Sequence, residues 1–239
     1  MNSVDVLAVM AHPDDAELLC GGTLARAHDQ GNRTGILDLS RGELGSRGTP
    51  ELRAQEAAAA AAVLGVAERT NAGLPDGHFA NTDATRAIVV EHLRRFRPRV
   101  VLLPFPVGRH PDHRVASELV RDACFLSGLK NYPAAGEPFR PFKLCHAMAY
   151  REDTVKPTFV VDISAQFERK LAAVACYASQ FSGLTQAGEL YGTGQPLSEL
   201  ITTQNAHYGS LIRARYGEPF WTAETMVVDD VMGLGVQTL

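Results

Sequence analysis

Short, unbroken apolar runs that alternate with helix-length segments constrain this chain more than any other feature. Residues 6–10 are apolar throughout, and residues 100–103 repeat the pattern before Pro104 and Pro106 stop it. A strand with no polar face is covered on both sides, as in a parallel sheet. Between these runs lie a helix over 16–30 with Gly31 as its C-terminal cap and a strand over 34–39. A Gly- and Ser-rich loop over 40–49 ends at Thr49-Pro50-Glu51, a helix start with Pro at the first helical position. The Ala-rich stretch 54–64 continues that helix, and Gly65 ends it. A weaker strand follows over 70–74. Residues 84–96 form an amphipathic helix through Ile88, Val89, His92, Leu93 and Phe96, and 113–126 are helical again. This rhythm predicts an α/β fold: a doubly wound, mostly parallel, Rossmann-like sheet with helices on both faces.

Beyond residue 127 the pattern loosens. Residues 128–141 carry several Gly and Pro and read as a surface excursion. Strands are expected over 147–150 and 159–161, a helix capped by Ser164 running to Ala178, and a last helix over 198–216. Residues 186–195 are Gly-rich and read as a lid. No linker or composition break divides the chain, so 1–239 is read as one domain.

The 239 residues are 45% hydrophobic, enough for a substantial core, and the formal net charge of -4 argues against a nucleic-acid partner. The nearest approach to a basic run, Arg94, Arg95, Arg97 and Arg99, reads as the solvated end of a helix. No apolar run reaches the ~18 residues of a membrane span. The start of the chain lacks the features of a signal peptide, so a cytoplasmic protein without a membrane partner is expected. Cys20, Cys124, Cys145 and Cys176 are widely spaced and read as buried free thiols.

His-Pro-Asp occurs twice, each time after an apolar run: within Ala11-His12-Pro13-Asp14-Asp15 and within Gly108-Arg109-His110-Pro111-Asp112-His113. Ligands of an open parallel sheet bind beyond the carboxyl ends of its strands, near the switch point. Both copies belong on that rim, where they gather three histidines and three aspartates. One copy alone is a turn whose Asp caps the next helix. Two copies on one rim suit a metal held by three protein ligands with a position left open. His12 and Asp15 can ligate from one turn, and a residue of the second loop completes the set. Of the neighbours Asp14 and Asp15, one can bind metal while the other accepts a proton. His28, His78, His92, His146 and His207 stand alone and read as surface or core residues. Gly21-Gly22 lies inside a helix without a G-x-G-x-x-G pattern and reads as close helix packing.

These residues resemble a known family. The A-H-P-D-D strand end, Gly21-Gly22-Thr23 and the later H-P-D-H resemble the LmbE-like or PIG-L superfamily of zinc-dependent N-acetylglucosaminyl deacetylases. Resemblance continues through Arg41-Gly42-Glu43-Leu44-Gly45-Ser46, Arg53-Ala54-Gln55-Glu56 and Asn71-Ala72-Gly73-Leu74-Pro75-Asp76-Gly77. Residues 108–113, Asp162-Ile163-Ser164 and Tyr177-Ala178-Ser179-Gln180-Phe181 resemble the bacillithiol-biosynthesis (BshB) branch, which deacetylates N-acetylglucosaminyl malate.

The resemblance implies one Zn2+ per chain, or another divalent metal, on His12, Asp15 and His113. It implies Asp14 as general base and His110, as imidazolium, as the group that stabilises the oxyanion, with Asp112 orienting His110. Arg53 and Arg109 become candidates for substrate binding. It implies a small-molecule amino-sugar substrate and a homo-oligomer, a hexamer. The alternatives are an amidase or deacetylase for another N-acyl sugar or sugar-thiol conjugate, or a non-catalytic metal- or nucleotide-binding module. The lack of Cys in either motif argues against a closed structural zinc site.

Overall fold

Seven strands make one sheet in the order β3-β2-β1-β4-β5-β7-β6. The structure is a computed structural model and describes residues 3–148, 155–181 and 196–236. The strands are β1 (Val6–Met10), β2 (Thr34–Ser40), β3 (Glu68–Leu74), β4 (Val100–Pro104), β5 (Lys143–Ala147), β6 (Phe159–Asp162) and β7 (Gly217–Trp221). From β3 to β5 all pairings are parallel, while β7 runs antiparallel to both β5 and β6. The helices are α1 (Asp15–Asp29), α2 (Pro50–Leu64), α3 (Asp83–Phe96), α4 (Pro111–Leu126), α5 (Phe167–Ala175), α6 (Ala178–Phe181) and α7 (Leu197–Leu211). The expected α/β class is therefore observed.

Alternate residues of the central strands divide between two cores, as a pleat requires. Leu7, Val9, Val101 and Leu103 face α3 and α4, packing on Val89, Leu93, Leu119 and Val120. Ala8, Met10 and Leu102 face the other way, onto Leu19, Cys20 and Leu24 of α1. The chain reverses direction across the sheet between β1 and β4. That is where side chains at the ends of both strands can meet around a ligand.

Local signals explain most boundaries. The Thr49 side chain accepts from Leu52 N, Pro50 opens α2, and Gly65 closes it at φ 76°, a left-handed conformation that glycine takes without steric cost. In α1, a Cβ on Gly22 would lie 2.7 Å from Ile163 Cδ1, so this glycine allows the close helix packing expected of it. The cysteines are free, with Cys20, Cys124 and Cys145 buried and Cys176 half-buried. Among the described residues no helix is long and apolar enough to cross a membrane.

Several expectations are corrected. The helix expected from Ser164 to Ala178 starts only at Phe167 and stops at Ala175. Ser164 is no cap: its hydroxyl donates to Asp162 Oδ1 and accepts from the backbone N–H groups of Arg215 and Tyr216. The helix expected over 198–216 ends at Leu211. There the chain doubles back over Gly209, where a Cβ would meet Tyr216 N at 2.7 Å, and enters an unforeseen strand, β7. The strand expected over 147–150 runs instead over Lys143–Ala147, with 149–150 outside the described residues. The Gly-rich stretch 186–195 also lies outside them. Arg94 is buried, not solvated, and its guanidinium donates to the carbonyls of Ser127 and Leu129, holding the excursion that follows α4.

A buried lysine ties three elements together: α5, β7 and α1. Lys170 Nζ donates to Glu218 Oε1 at 2.7 Å, and both side chains are fully buried. The same carboxylate accepts from Gly22 N and from the N and Oγ1 of Thr23, fixing α1 to β7. Removing one partner of a buried pair leaves an uncompensated charge. Lys170→Met is expected to destabilise the fold by about 3–5 kcal/mol. A denaturant midpoint close to wild type would disprove this.

Candidate active site and metal centre

Both His-Pro-Asp turns reach the same point. The first links β1 to α1, the second links β4 to α4, and β1 pairs with β4. Ser40, at the end of β2, donates both its N–H and its hydroxyl to Ala11 O, fixing the exit of β1. Asp14 then takes φ 113°, uncommon for a residue with a Cβ. This bend sends the side chains of Asp14 and Asp15 in different directions.

Asp15 bridges two histidines. Its Oδ2 accepts from His12 N at 2.9 Å and lies 3.3 Å from His12 Nδ1. Its Oδ1 lies 3.1 Å from His113 Nε2. Four donors around zinc at 2.0–2.2 Å are separated by roughly 3.3–3.6 Å, so each of these two contacts has about the spacing of neighbouring donors on one ion. The far nitrogen of His12, Nε2, lies 3.1 Å from Asp76 Oδ1 and 3.3 Å from Asp112 Oδ2. Carboxylates behind a metal-ligating histidine fix its ring and its tautomer. Two further groups, His12 with His110 and His113, and His12 with Asp76 and Asp112, also bring ligand atoms within 4.8 Å of one another.

The electrostatics favour a cation. Burial opposes a charge on His12, but Asp15, with Asp14 and Asp76, outweighs it and pushes the His12 pKa up to about 10. Burial also opposes a charge on His113, and Asp15 again outweighs it and raises the pKa. The two histidines in turn hold the buried Asp15 carboxyl well below its ordinary range. The cluster thus draws positive charge towards the donors that a divalent ion would need, and the residues fit one.

Asp14 takes no part in this bridge and pairs with Arg53. Arg53 Nη2 donates to Asp14 Oδ2 at 2.5 Å, and Arg53 Nη1 donates to Gly42 O. Burial pushes the Asp14 pKa up to about 7 against the pull of Arg53. Arg53, expected to bind substrate, therefore spends much of its fork on Asp14, while its buried Nε has no partner among the described residues. Arg109 is exposed on the loop that carries His110, and its carbonyl accepts from Arg114 Nη1.

His110 caps α4, and its Nδ1 accepts from Asp112 N at 3.2 Å. Two expectations change here. The Asp112 carboxylate does not orient His110: it accepts from Gly77 N at 2.8 Å and faces His12. The expected His110 imidazolium is not favoured either, since burial and then the charges of His113 and His12 lower its pKa. With Nδ1 accepting, the neutral ring carries its hydrogen on Nε2 and remains a donor there.

Asp76, in the turn after β3 on the same rim, is a further residue of the site that neither His-Pro-Asp motif marks. Its Oδ2 accepts from Leu44 N, and its own N–H donates to Glu43 Oε1. The loop 41–49 is thereby pinned beside His12. Gln180 Nε2 holds the same loop at Arg47 O, and Ser179 donates through N and Oγ to the Glu56 carboxylate.

Residues 7–124 match the family described as PIG-L, GlcNAc-PI de-N-acetylase. The chain is 31% identical over 225 residues to the diacetylchitobiose deacetylase of Thermococcus kodakarensis, covering 89% of this chain and 80% of that protein. It is 33% identical over 179 residues to the 1D-myo-inositol 2-acetamido-2-deoxy-alpha-D-glucopyranoside deacetylase of Rhodococcus jostii, covering 60% of this chain and 61% of that one. A conserved protein of Thermus thermophilus superposes with a TM-score of 0.85 at 42% identity, over 95% of this chain and 98% of that one. Fold, site and relatives together define a deacetylase of N-acetylated sugars. The chain belongs to the PIG-L family, within the LmbE-like deacetylase superfamily.

Proposed function

We propose that this chain hydrolyses the N-acetyl group of an N-acetylglucosamine derivative with Zn2+ held by His12, Asp15 and His113. The observation that carries the reading is Asp15 spanning both histidines at 3.1 and 3.3 Å, with a second carboxylate, that of Asp14, one residue away and paired with Arg53. A closed structural site would have no use for that neighbour. A divalent ion in this place supplies Lewis acidity towards the acetyl carbonyl and the attacking water.

The protein's own groups do the rest. Asp14, raised by burial, accepts the proton of the attacking water, and Arg53 keeps its carboxylate in line. His110 donates its Nε2 hydrogen to the acetyl oxygen as negative charge develops there. Asp112 and Asp76 hold His12 from behind. The amide C–N bond breaks, acetate and a free amine form, and one water is consumed. Arg109, exposed on the His110 loop, is assigned to an anionic group beyond the sugar.

At a finer level, N-acetylglucosaminyl malate of bacillithiol biosynthesis is the proposed substrate. Its support is the likeness of residues 108–113, 162–164 and 177–181 to that branch, and the carboxylates of malate suit Arg109. Acetate release should be followed for N-acetylglucosaminyl malate, N-acetylglucosamine, diacetylchitobiose and an N-acyl sugar-thiol conjugate, each with zinc and with chelator. The malate conjugate is expected to be turned over fastest. If another member of the panel is faster, the malate assignment falls and deacetylation stands. If no N-acyl sugar releases acid with any divalent metal, the function itself falls.

A further inference from the structure

A second arginine, Arg69 on β3, is enclosed behind the Asp14 turn and divides its fork among three elements. Its Nε and Nη2 donate to the two carboxylate oxygens of Asp38, on β2, at 2.8 and 2.9 Å. Its Nη1 donates to Glu17 Oε1 at 2.5 Å, in the first turn of α1, and to Ala57 O at 3.1 Å, in α2. The side chains of Arg69, Asp38 and Glu17 are 9%, 4% and 0% exposed, so water competes little for these bonds. Burial opposes the charge on Arg69, but Asp38 and then Glu17 outweigh it and raise its pKa well above the ordinary value. The guanidinium stays charged, and its bonds to the carboxylates are charge-assisted.

The two helices that Arg69 joins also carry the Asp14–Arg53 pair. Asp14 stands at the start of α1, three residues before Glu17, and Arg53 lies one turn before Ala57 in α2. The Asp14 side chain makes no cap bond to its own helix, and its carboxylate is held from α2 by Arg53 Nη2. The spacing of α1 and α2 therefore decides where that carboxylate lies. Asp38 fixes Arg69 to the sheet, so Arg69 grips both helices from a third element. A cleft of about 240 Å3 reaches this hub, lined by Asp38, Arg69, Ala57 and, on the catalytic turn, Pro13.

We propose that Arg69 is a positioning residue for the deacetylation: anchored to β2 through Asp38, its guanidinium sets the separation of Asp14 on α1 from Arg53 on α2. The inference rests on Asp14 as the base of the proposed reaction. Lysine at this position would keep the charge but lose the planar fork, so it could not clasp Asp38 bidentately while reaching Glu17 and Ala57 O. A small shift of α1 against α2 then moves the Asp14 carboxylate off the line of the attacking water, while the donors for the ion stay together on their own turns.

The test uses the full chain. Arg69→Lys is expected to keep its zinc and the wild-type KM and to lose ~10–100-fold in turnover, the scale for a group that orients a catalytic one. In an Asp14→Asn chain the same change should cost nothing further, because the group it orients is already disabled. A merely structural arginine would cost the same factor in both backgrounds. Methylguanidinium, entering by the cleft, should restore turnover to Arg69→Ala, and urea at the same concentration should not. If Arg69→Ala does not fold, Arg69→Lys decides alone. The Arg53 guanidinium gives a readout that needs no substrate: by nitrogen NMR its rotation should be slow in the wild type, held by Asp14, and fast in Arg69→Lys. Zinc lost together with turnover, an equal loss in the Asp14→Asn background, no rescue of a folded Arg69→Ala, or slow Arg53 rotation in both proteins would each overturn the inference. If the wild type releases no acetate from any N-acetyl sugar, or Asp14→Asn turns over normally, the proposed function or its base falls instead. The Arg53 spectrum alone then decides whether Arg69 positions the pair.

Discussion

Asp14→Asn is expected to lower turnover of the N-acetyl sugar by about 10²–10⁴-fold, the usual worth of a positioned general base, while metal content stays at the wild-type level. The substitution is unusually clean at this position. Asp14 sits at φ 113°, and asparagine tolerates left-handed conformations better than other side chains with a Cβ. The amide keeps the size of the carboxyl and can still accept from Arg53 Nη2 through its oxygen. What it lacks is a basic oxygen able to take a proton. The Asp15 bridge to His12 and His113 does not involve Asp14, so the donors for the ion remain in place. Single-turnover acetate release, beside zinc analysis of the same sample, separates the two effects. Normal turnover in Asp14→Asn with full metal would move the base elsewhere, and Asp76 would be the next residue to test. Loss of metal together with activity would show that Asp14 is a ligand.

The residues that made the first half of the chain legible carry local signals of one meaning. Val6–Met10 can be read only as a covered strand, and Thr49-Pro50 only as a helix start, because the backbone chemistry of each agrees with its tertiary surroundings. The second half was less legible for a physical reason. β7 contains Gly217 and Pro219, residues that weaken a strand assignment, yet it lies between β5 and β6. What holds it is distant in sequence: Glu218, buried against Lys170, Gly22 and Thr23. Arg94 escapes local reading in the same way, since the carbonyls that bury it come from a loop more than thirty residues on. At the site, spacing within each turn exposed His12, Asp14, Asp15, His110 and His113. The partners were hidden because they are set between turns. Asp76 reaches His12 across 64 residues, and Asp112 turns its carboxylate to Gly77 and His12 instead of to its near neighbour His110.

His113→Ala is expected to empty the metal centre, from about one ion per chain to none after dialysis, and to abolish hydrolysis with it. The prediction decides between three ways of holding an ion. If His12, Asp15 and His113 are the ligands, His113→Ala leaves two donors on a single turn, too few for a retained ion, and His12→Ala behaves alike. If the ion instead sits among His12, His110 and His113, His110→Ala loses it as well. If it sits among His12, Asp76 and Asp112, His113→Ala keeps it. The proposed function uses the first set. His12 Nδ1 and His113 Nε2 both meet the Asp15 carboxylate, whereas His110 Nδ1 is occupied by Asp112 N. On the far side of His12, Asp76 and Asp112 also accept from Leu44 N and Gly77 N, the bonding of groups that support a ligand from behind. His110→Ala is therefore expected to keep its ion and to lose about 10²–10³-fold in turnover, the scale of one donor to a developing oxyanion. Metal analysis of the three histidine variants at equal protein concentration gives the answer directly. Retention in His113→Ala, or loss in His110→Ala as steep as in His12→Ala, would replace this ligand set with one of the others.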